Sequence, residues 1–180
     1  MKKIIAIGAS TSKNSINKTF ANFAANQLSN VEVISVDISS YNHLPIFSVD
    51  FESDNETPEE ITILNSLFKD VDGFIISFAE HNGSYSAGYK NVFDWVSRQE
   101  GKIFNNKPTL LLSTSPGGRG GMTVLASAVS VYPHQGANLV GSFSLPSFFD
   151  NLKDNSIVDP ALDKTFTEEV AKLQMALDKI

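Results

Sequence analysis

The sequence contains no cysteine, which excludes three kinds of site at once: disulfide frameworks, zinc–thiolate centres and cysteine nucleophiles. Clustered positive charge is also missing, since the longest basic run is Lys2-Lys3 and the formal net charge is −6. Binding to nucleic acid needs clustered Lys and Arg to meet the phosphates. A nucleic-acid partner is therefore not expected.

Long hydrophobic runs are absent as well. The apolar segment Ile4–Ile7 stops at Gly8, too early for the hydrophobic region of a signal peptide. Nothing in the chain approaches the ~20 apolar residues of a membrane-spanning helix. We therefore expect a soluble cytoplasmic protein with no membrane partner. The 180 residues, 42% hydrophobic and 19% charged, predict one globular domain over residues 1–180.

Short apolar runs alternate with longer amphipathic segments along the chain. The predicted strands are residues 4–8, 31–36, 73–78, 108–113 and 139–143. The predicted helices are residues 15–29, 86–99, 121–131 and 165–179, with one more that begins near residue 57. In that helix Thr57 would be the N-cap and Pro58 the first helical residue.

This alternation predicts an α/β fold: a five-stranded parallel sheet of order 2-1-3-4-5 with helices on both faces. Ligands of such sheets bind at the carboxyl ends of the strands, beside strand 1. The loops that follow strands 1, 3 and 4 are therefore the candidate site.

The loop after strand 1, residues 9–17, offers four hydroxyl groups, Lys13 and the backbone N–H groups of a helix N-terminus. Such a loop can hold a dianionic phosphate. It is neither a Walker A loop nor a Gly-x-Gly-x-x-Gly turn. A serine-rich turn in which Ser15 caps the helix explains the same composition equally well.

The loop after strand 3, residues 79–91, combines polar, glycine-containing backbone with Tyr85 and Tyr89. This suits a planar heterocycle that forms hydrogen bonds along one edge, although a plain turn before a helix is the alternative. His81 is either a catalytic base or a surface residue, and Glu80 is either a buried or a solvated acid.

The loop after strand 4, residues 114–121, has glycine at four of its last five positions. Glycine lets the backbone approach a ligand closely, and unobstructed N–H groups can stabilise negative charge. A flexible loop tip is the competing interpretation.

The three loops together resemble the NAD(P)H-dependent FMN reductase family. Residues 5–17 resemble its phosphate motif, Gly-Ser-x-Arg-x-x-Ser-x-Asn. Residues 80–98 are similar to its Pro-Glu-Tyr-Asn … Lys-Asn-x-x-Asp-Trp-x-Ser-Arg segment, and residues 115–121 to its glycine-rich third loop. The sequence departs from this pattern at Ala9, Ser12, Ala79, His81 and Ser86, which stand for Gly, Arg, Pro, Tyr and Pro.

The resemblance implies a flavodoxin-like three-layer sandwich that binds FMN, takes electrons from NADPH or NADH, and passes them to a small acceptor. That acceptor would be a quinone, an azo compound, a metal oxyanion or free flavin. The ribityl phosphate would lie at the first loop, where Lys13 replaces the missing Arg charge, and the isoalloxazine edge at the other two. The implied cofactor-binding residues are Ser10, Ser12, Lys13, Ser15, Ile16, Asn17, Ala79, Glu80, His81, Asn82, Gly83, Ser84, Ser115, Pro116, Gly117 and Gly118.

No catalytic side chain and no metal ligand is assigned, because the flavin carries the chemistry. The helix with Asp94, Trp95 and Arg98 would form a homodimer or homotetramer interface, although Trp95 in the monomer core is nearly as good an interpretation. A flavodoxin-type electron carrier without NAD(P)H activity is the main alternative. A receiver-type regulatory module is disfavoured, because Ser10-Thr11-Ser12 provides none of the acidic residues it needs.

Overall fold

The computed structural model describes residues 1–99 and 101–180, and its centre is one five-stranded sheet. The strands are β1 (Lys2–Ala9), β2 (Val31–Asp37), β3 (Gly73–Phe78), β4 (Pro108–Thr114) and β5 (Asn138–Leu145). All neighbours pair in parallel, in the order β2-β1-β3-β4-β5. The predicted order 2-1-3-4-5 is confirmed.

Helices connect the strands. They are α1 (Ile16–Ala25), α2 (Val49–Asp54), α3 (Glu59–Asp70), α4 (Ala87–Ser97), α5 (Met122–Val131), α6 (Phe148–Asn151) and α7 (Pro160–Leu177). Short 3₁₀ segments occur at Ile38–Tyr41 and Tyr132–Gln135. Two small hairpins, Glu80–Tyr85 and Leu152–Ile157, lie outside the main sheet.

The helices cover both faces of the sheet because successive strand residues point to opposite sides. On one side, Ile5 and Ile7 of β1 pack with the buried side chains of α3, α4 and α5. On the other, Ile4 and Ala6 pack with those of α1 and α7. This is the predicted three-layer sandwich. In the described part of the chain, every helix is too short or too polar to cross a membrane.

Two predicted helix starts are wrong. Helix α3 begins at Glu59 with Pro58 as its N-cap residue, so the predicted roles of Thr57 and Pro58 are shifted by one position. Helix α7 begins at Pro160, five residues before the predicted start at 165. The N-cap explains the difference, because Asp159 Oδ1 accepts the N–H groups of Ala161 and Leu162 at 2.8 and 3.0 Å.

Helix α4 uses its large apolar side chains within this chain. Trp95 is 0% exposed, and its indole N–H donates to the carbonyl of Pro45 at 2.9 Å. Phe47 and Phe51 contact its ring edge-on, with centroids 5.2 and 5.9 Å away. The Arg98 side chain pairs with the chain's own α2. The Trp95 and Arg98 side chains of this helix are therefore no argument for an interface.

The outer edge of β5 is covered at one point by a carboxylate. Glu169 of α7 accepts the backbone N–H of Ser142 at 3.1 Å. A Cβ added to Gly141 would lie 2.3 Å from that same carboxylate oxygen. Glycine at position 141 therefore gives the glutamate access to the strand edge.

Candidate functional site

The three loops after β1, β3 and β4 meet in one cleft of about 250 Å³ at the carboxyl end of the sheet. The lining residues are Ser10, Ser12, Asn14, Ser15, Ile16, Asn17, Ala79, Glu80, His81, Thr114, Ser115 and Pro116. Of these, Asn14 and Thr114 were not predicted as site residues. The predicted residues Lys13, Asn82, Gly83, Ser84, Gly117 and Gly118 lie in the same loops but outside this lining.

The first loop ends in a capped helix N-terminus. Ser15 Oγ accepts the N–H of Lys18 at 3.1 Å, which satisfies one donor of the first turn. As an acceptor in that bond, the hydroxyl keeps its proton for a further partner. The N–H groups of Ile16 and Asn17 have no partner within the helix, as at any helix start. Ser15 can therefore act as both cap and phosphate ligand.

The lysines near this loop differ in their surroundings. Lys18 forms an ion pair with Asp37, and its hydrogen bond holds the pKa of that carboxyl below its usual range. Lys13 is exposed within the loop itself. Lys13 therefore lies in the same loop as the cleft-lining serines, outside the lining itself. In residues 1–99 and 101–180 no cluster of three acidic or histidine side chains could hold a metal ion.

The second loop is a two-residue β-hairpin turn. Asn82 and Gly83 both have positive φ, 53° and 78°, which is the signature of a type I′ turn. The Asn-Gly pair is the sequence signal for this turn, between the short strands Glu80–His81 and Ser84–Tyr85. Next to the turn, His81 is exposed at the wall of the cleft.

The carboxylate of Glu80 joins the hairpin to the start of α5. Its Oε2 accepts the N–H groups of Thr123 and Val124, both at 3.0 Å. A negative side chain at this position also complements the positive end of the helix dipole. Glu80 is thus neither a buried acid free to transfer protons nor simply solvated, because it fixes the second loop against α5.

The third loop is held by hydrogen bonds on several sides. The hydroxyl groups of Ser113 and Ser144 both donate to the carbonyl of Gly120, at 2.8 and 2.9 Å. The N–H of Ser147 donates to Gly117 O at 3.0 Å, and that of Phe148 to the carbonyl of Ser115 at 3.0 Å. These contacts argue against the interpretation of the loop as a flexible tip.

Its glycines fall into two kinds. Gly120 has φ +59°, and an added Cβ would lie 2.9 Å from the backbone of Leu145, so the fold itself requires glycine there. At Gly117 and Gly118 an added Cβ would meet nothing within 4 Å. Nothing in the protein requires bare backbone at these two positions. Both residues are exposed, so the space beside them is open.

Behind the second loop lies a group of buried phenols. The rings of Tyr85, Tyr89 and Tyr132 surround Phe78 of β3, with centroids 5.5, 5.8 and 5.5 Å from it. The hydroxyl groups of Tyr89 and Tyr132 hydrogen-bond to each other. In the described structure the buried Tyr85 hydroxyl has no hydrogen-bond partner, and burial raises its pKa to about 12.

Asn17, predicted as a phosphate ligand, forms part of the base of the cleft. Its side chain is directed inward, and the residue is 2% exposed. The side-chain hydrogen bonds go to Ser77 and Thr114 within the protein. Its backbone N–H lies in the first turn of α1, where it has no partner within the helix.

Several known proteins are similar in sequence. Quinone reductase of Escherichia coli (strain K12) is 27% identical over 106 residues, which cover 57% of this chain and 56% of that protein. This chain thus aligns with little more than half the length of that relative. NADPH azoreductase of Bacillus sp. (strain OY1-2) is 29% identical over 134 residues, 72% and 70% of the two chains. An uncharacterised Mycoplasma pneumoniae protein is 32% identical over 144 residues, 77% and 84% of the two chains.

Solved structures share the fold at lower identity. The flavoenzyme NAD(P)H:(acceptor) oxidoreductase FerB from Paracoccus denitrificans superposes with a TM-score of 0.78 at 22% identity, over 99% of this chain and 98% of that one. An NADH:FMN oxidoreductase in its apo form gives a TM-score of 0.69 at 14% identity, over 97% and 89% of the chains. The family model for NADPH-dependent FMN reductase matches residues 2–150. The chain therefore belongs to the NADPH-dependent FMN reductase family.

Proposed function

We propose that residues 1–180 are one FMN-binding domain and act as an NAD(P)H-dependent oxidoreductase. The observation that carries this proposal is the cleft in which the hydroxyl-rich start of α1 faces Thr114, Ser115 and Pro116, the residues at and just after the end of β4. A phosphate and a planar ring system need these two environments side by side. The names of the relatives, quinone reductase and azoreductase, support the same activity.

The first loop would hold the ribityl phosphate. Its donors are the hydroxyl groups of Ser10, Ser12 and Ser15 and the N–H groups at the start of α1, where the helix dipole favours negative charge. Lys13 adds a positive side chain in place of the family's arginine. A single terminal phosphate matches this site, so we propose FMN rather than FAD.

The second and third loops would hold the isoalloxazine edge. Residues 79–84 and 115–118 contribute mainly backbone groups, and unobstructed N–H donors stabilise negative charge on a reduced ring. When bound, FMN supplies the redox chemistry by accepting hydride from NADPH or NADH and reducing a second substrate. The protein binds and orients the flavin and its substrates, so no side-chain base is assigned.

The second substrate would be a small acceptor: a quinone, an azo compound, a metal oxyanion or free flavin. A location in the cytoplasm accompanies this proposal, because the donor is a reduced nicotinamide cofactor.

Two measurements on the purified full chain test the proposal. The first is a visible absorption spectrum, followed by heat release and mass spectrometry of the flavin, where we expect FMN. The second is oxidation of NADPH or NADH with a benzoquinone as acceptor and no partner reductase. Steady turnover supports an enzyme, whereas bound FMN without turnover would identify a flavodoxin-type carrier instead. Release of mainly FAD would contradict the cofactor assignment.

We also propose a homodimer or homotetramer. Because the apolar side chains of α4 are used internally, the interface would involve exposed apolar groups nearby, such as Ile46 and Val49, which are 84% and 66% exposed. Equilibrium sedimentation at micromolar concentration should give a dimer or larger species that Ile46→Glu weakens. A monomer under these conditions would count against the proposal.

A further inference from the structure

The side-chain hydrogen bonds of Asn17 all go to residues of β3 and β4 in the protein interior. Its amide oxygen accepts from the Ser77 hydroxyl at 2.7 Å and from the Thr114 N–H at 3.1 Å. Its amide nitrogen donates to the carbonyl oxygen of Thr114 at 3.1 Å. Both acceptor positions of the oxygen are therefore occupied, as is one of the two N–H donors.

These bonds continue the sheet at the point where it ends. The pairing of β3 with β4 stops at Phe78 and Ser113. At the next residue, Thr114, the Asn17 side chain bonds to both the N–H and the carbonyl group, as the backbone of a neighbouring strand would. Residues 115–118 of the third loop follow directly. Asn17 thus holds the residue from which the third loop departs.

The reach of Asn17 is set by close packing of α1 on β1. A Cβ added to Gly8 would lie 2.3 Å from the Cα and N atoms of Lys18, so the first turn of the helix rests directly on the strand. Interiors packed this closely do not yield to small shifts. The distance from Asn17 to β4 is therefore fixed by the fold.

We propose that Asn17 is a positioning residue, which fixes the third loop relative to the start of α1. On this view it holds the ring end of the site in place and does not bind the phosphate through its side chain. The inference rests on the proposed function, because that proposal identifies the ligand as FMN. Loss of the amide would leave the buried polar groups of Thr114 and Ser77 without partners, and the third loop would shift.

The test compares FMN with riboflavin, which lacks the phosphate, on the flavin-stripped full chain. We expect Asn17→Ala to lower the affinity for FMN and for riboflavin by the same factor, about tenfold or more. The reason is that the third loop contacts the ring system, which both ligands share. The control, Ser15→Ala, should weaken FMN and leave riboflavin unchanged. The visible band of the bound flavin should also change shape in the Asn17 variant and not in the control.

If Asn17→Ala weakened FMN alone, Asn17 would be a phosphate ligand and the inference would be wrong. Equal affinities of wild type and variant for both flavins would also overturn it.

A second measurement needs no flavin and a second variant guards against misfolding. Ser77→Ala removes one of the three bonds and leaves Asn17 in place, so the same effects should appear at smaller size. Amide hydrogen exchange over residues 114–118 should be faster in both variants than in wild type and unchanged in Ser15→Ala. Unaltered exchange in both would refute the positioning role. Absence of flavin binding by the wild type would instead refute the proposed function.

Discussion

The hydroxyl groups of Tyr89 and Tyr132 hydrogen-bond to each other in the core, where the two residues are only 4% and 1% exposed. Removing one hydroxyl leaves the other buried without a partner, at a cost of about 1–3 kcal/mol. We expect Tyr89→Phe to lower the free energy of unfolding by that amount. The double variant with Tyr132→Phe should be nearly as stable as wild type. Urea unfolding of the four proteins tests this, and additive losses would contradict it.

Alkaline pH should destabilise the protein through the same phenols. Burial raises the pKa of Tyr85 to about 12 and also raises the pKa of Tyr89 and Tyr132. Tyrosines in the unfolded chain ionise near pH 10. The stability that depends on keeping these buried hydroxyl groups protonated is therefore fully present below pH ~10. It is lost as the pH rises toward the raised pKa values of the folded protein.

Tyr85→Phe isolates part of this effect. Because the Tyr85 hydroxyl is buried without a partner, its removal should leave stability unchanged or raise it by up to about 1 kcal/mol. The fall in urea midpoint between pH 9 and 11 should become shallower than in wild type. An unchanged slope would show that Tyr85 does not contribute to it.

The two kinds of glycine in the third loop should respond differently to alanine. Gly117→Ala should leave the urea midpoint unchanged, because its Cβ meets nothing in the protein, but should weaken flavin binding by filling ligand space. Gly120→Ala should destabilise the fold, by about 1–3 kcal/mol, through its positive φ and its contact with Leu145. Full flavin affinity in Gly117→Ala would place the ring elsewhere.

Glu80 should matter for its oxygen more than for its charge. Glu80→Gln keeps an acceptor for the N–H groups at the start of α5 and should lose only ~0.3–1 kcal/mol of stability. Glu80→Ala leaves those donors without the side chain and should also weaken flavin binding by releasing the hairpin. Thermal unfolding and flavin titration of both variants provide the comparison. Equal flavin affinity in the two would rule out this role.

His81 is predicted to make the reduction potential of bound flavin depend on pH. Histidine changes charge between pH 5 and 8, and its protonated form at the cleft wall would favour anionic reduced flavin. The potential should rise more steeply with falling pH than flavin protonation alone requires. Replacing His81 with Tyr should remove the extra slope while flavin stays bound. Superimposable redox titrations of the two proteins between pH ~5.5 and 8 would show that the side chain has no effect.

The sheet could be predicted from sequence because parallel strands buried on both faces appear as apolar runs. The segment Gly73–Phe78 is buried at every position and coincides with its prediction. Residues 160–164 of α7 carry little apolar periodicity, so the start of that helix was missed. The Asp159-Pro160 pair was the local signal that marked it.

The direction of individual side chains was less predictable, because it depends on distant parts of the chain. Asn17 turns toward a backbone group 97 residues away. Trp95 fills the core because Pro45, 50 residues earlier, offers a carbonyl group to its indole. Neither partner can be predicted from the local sequence. The sequence alone therefore does not decide whether Asn17 binds a phosphate or whether Trp95 lies in the core or at an interface.

The carboxylate on the outer strand also affects how copies of this chain meet one another. An unpaired strand edge offers N–H and carbonyl groups to a strand from another molecule, which is a route to aggregation. Glu169 occupies the N–H of Ser142 on β5, and the same carboxylate forms an ion pair with Lys172. Glycine at 141 makes this possible, and a bulkier residue would push the carboxylate away. At Ser142, therefore, the N–H that a strand of another molecule would need for edge-to-edge pairing is already occupied.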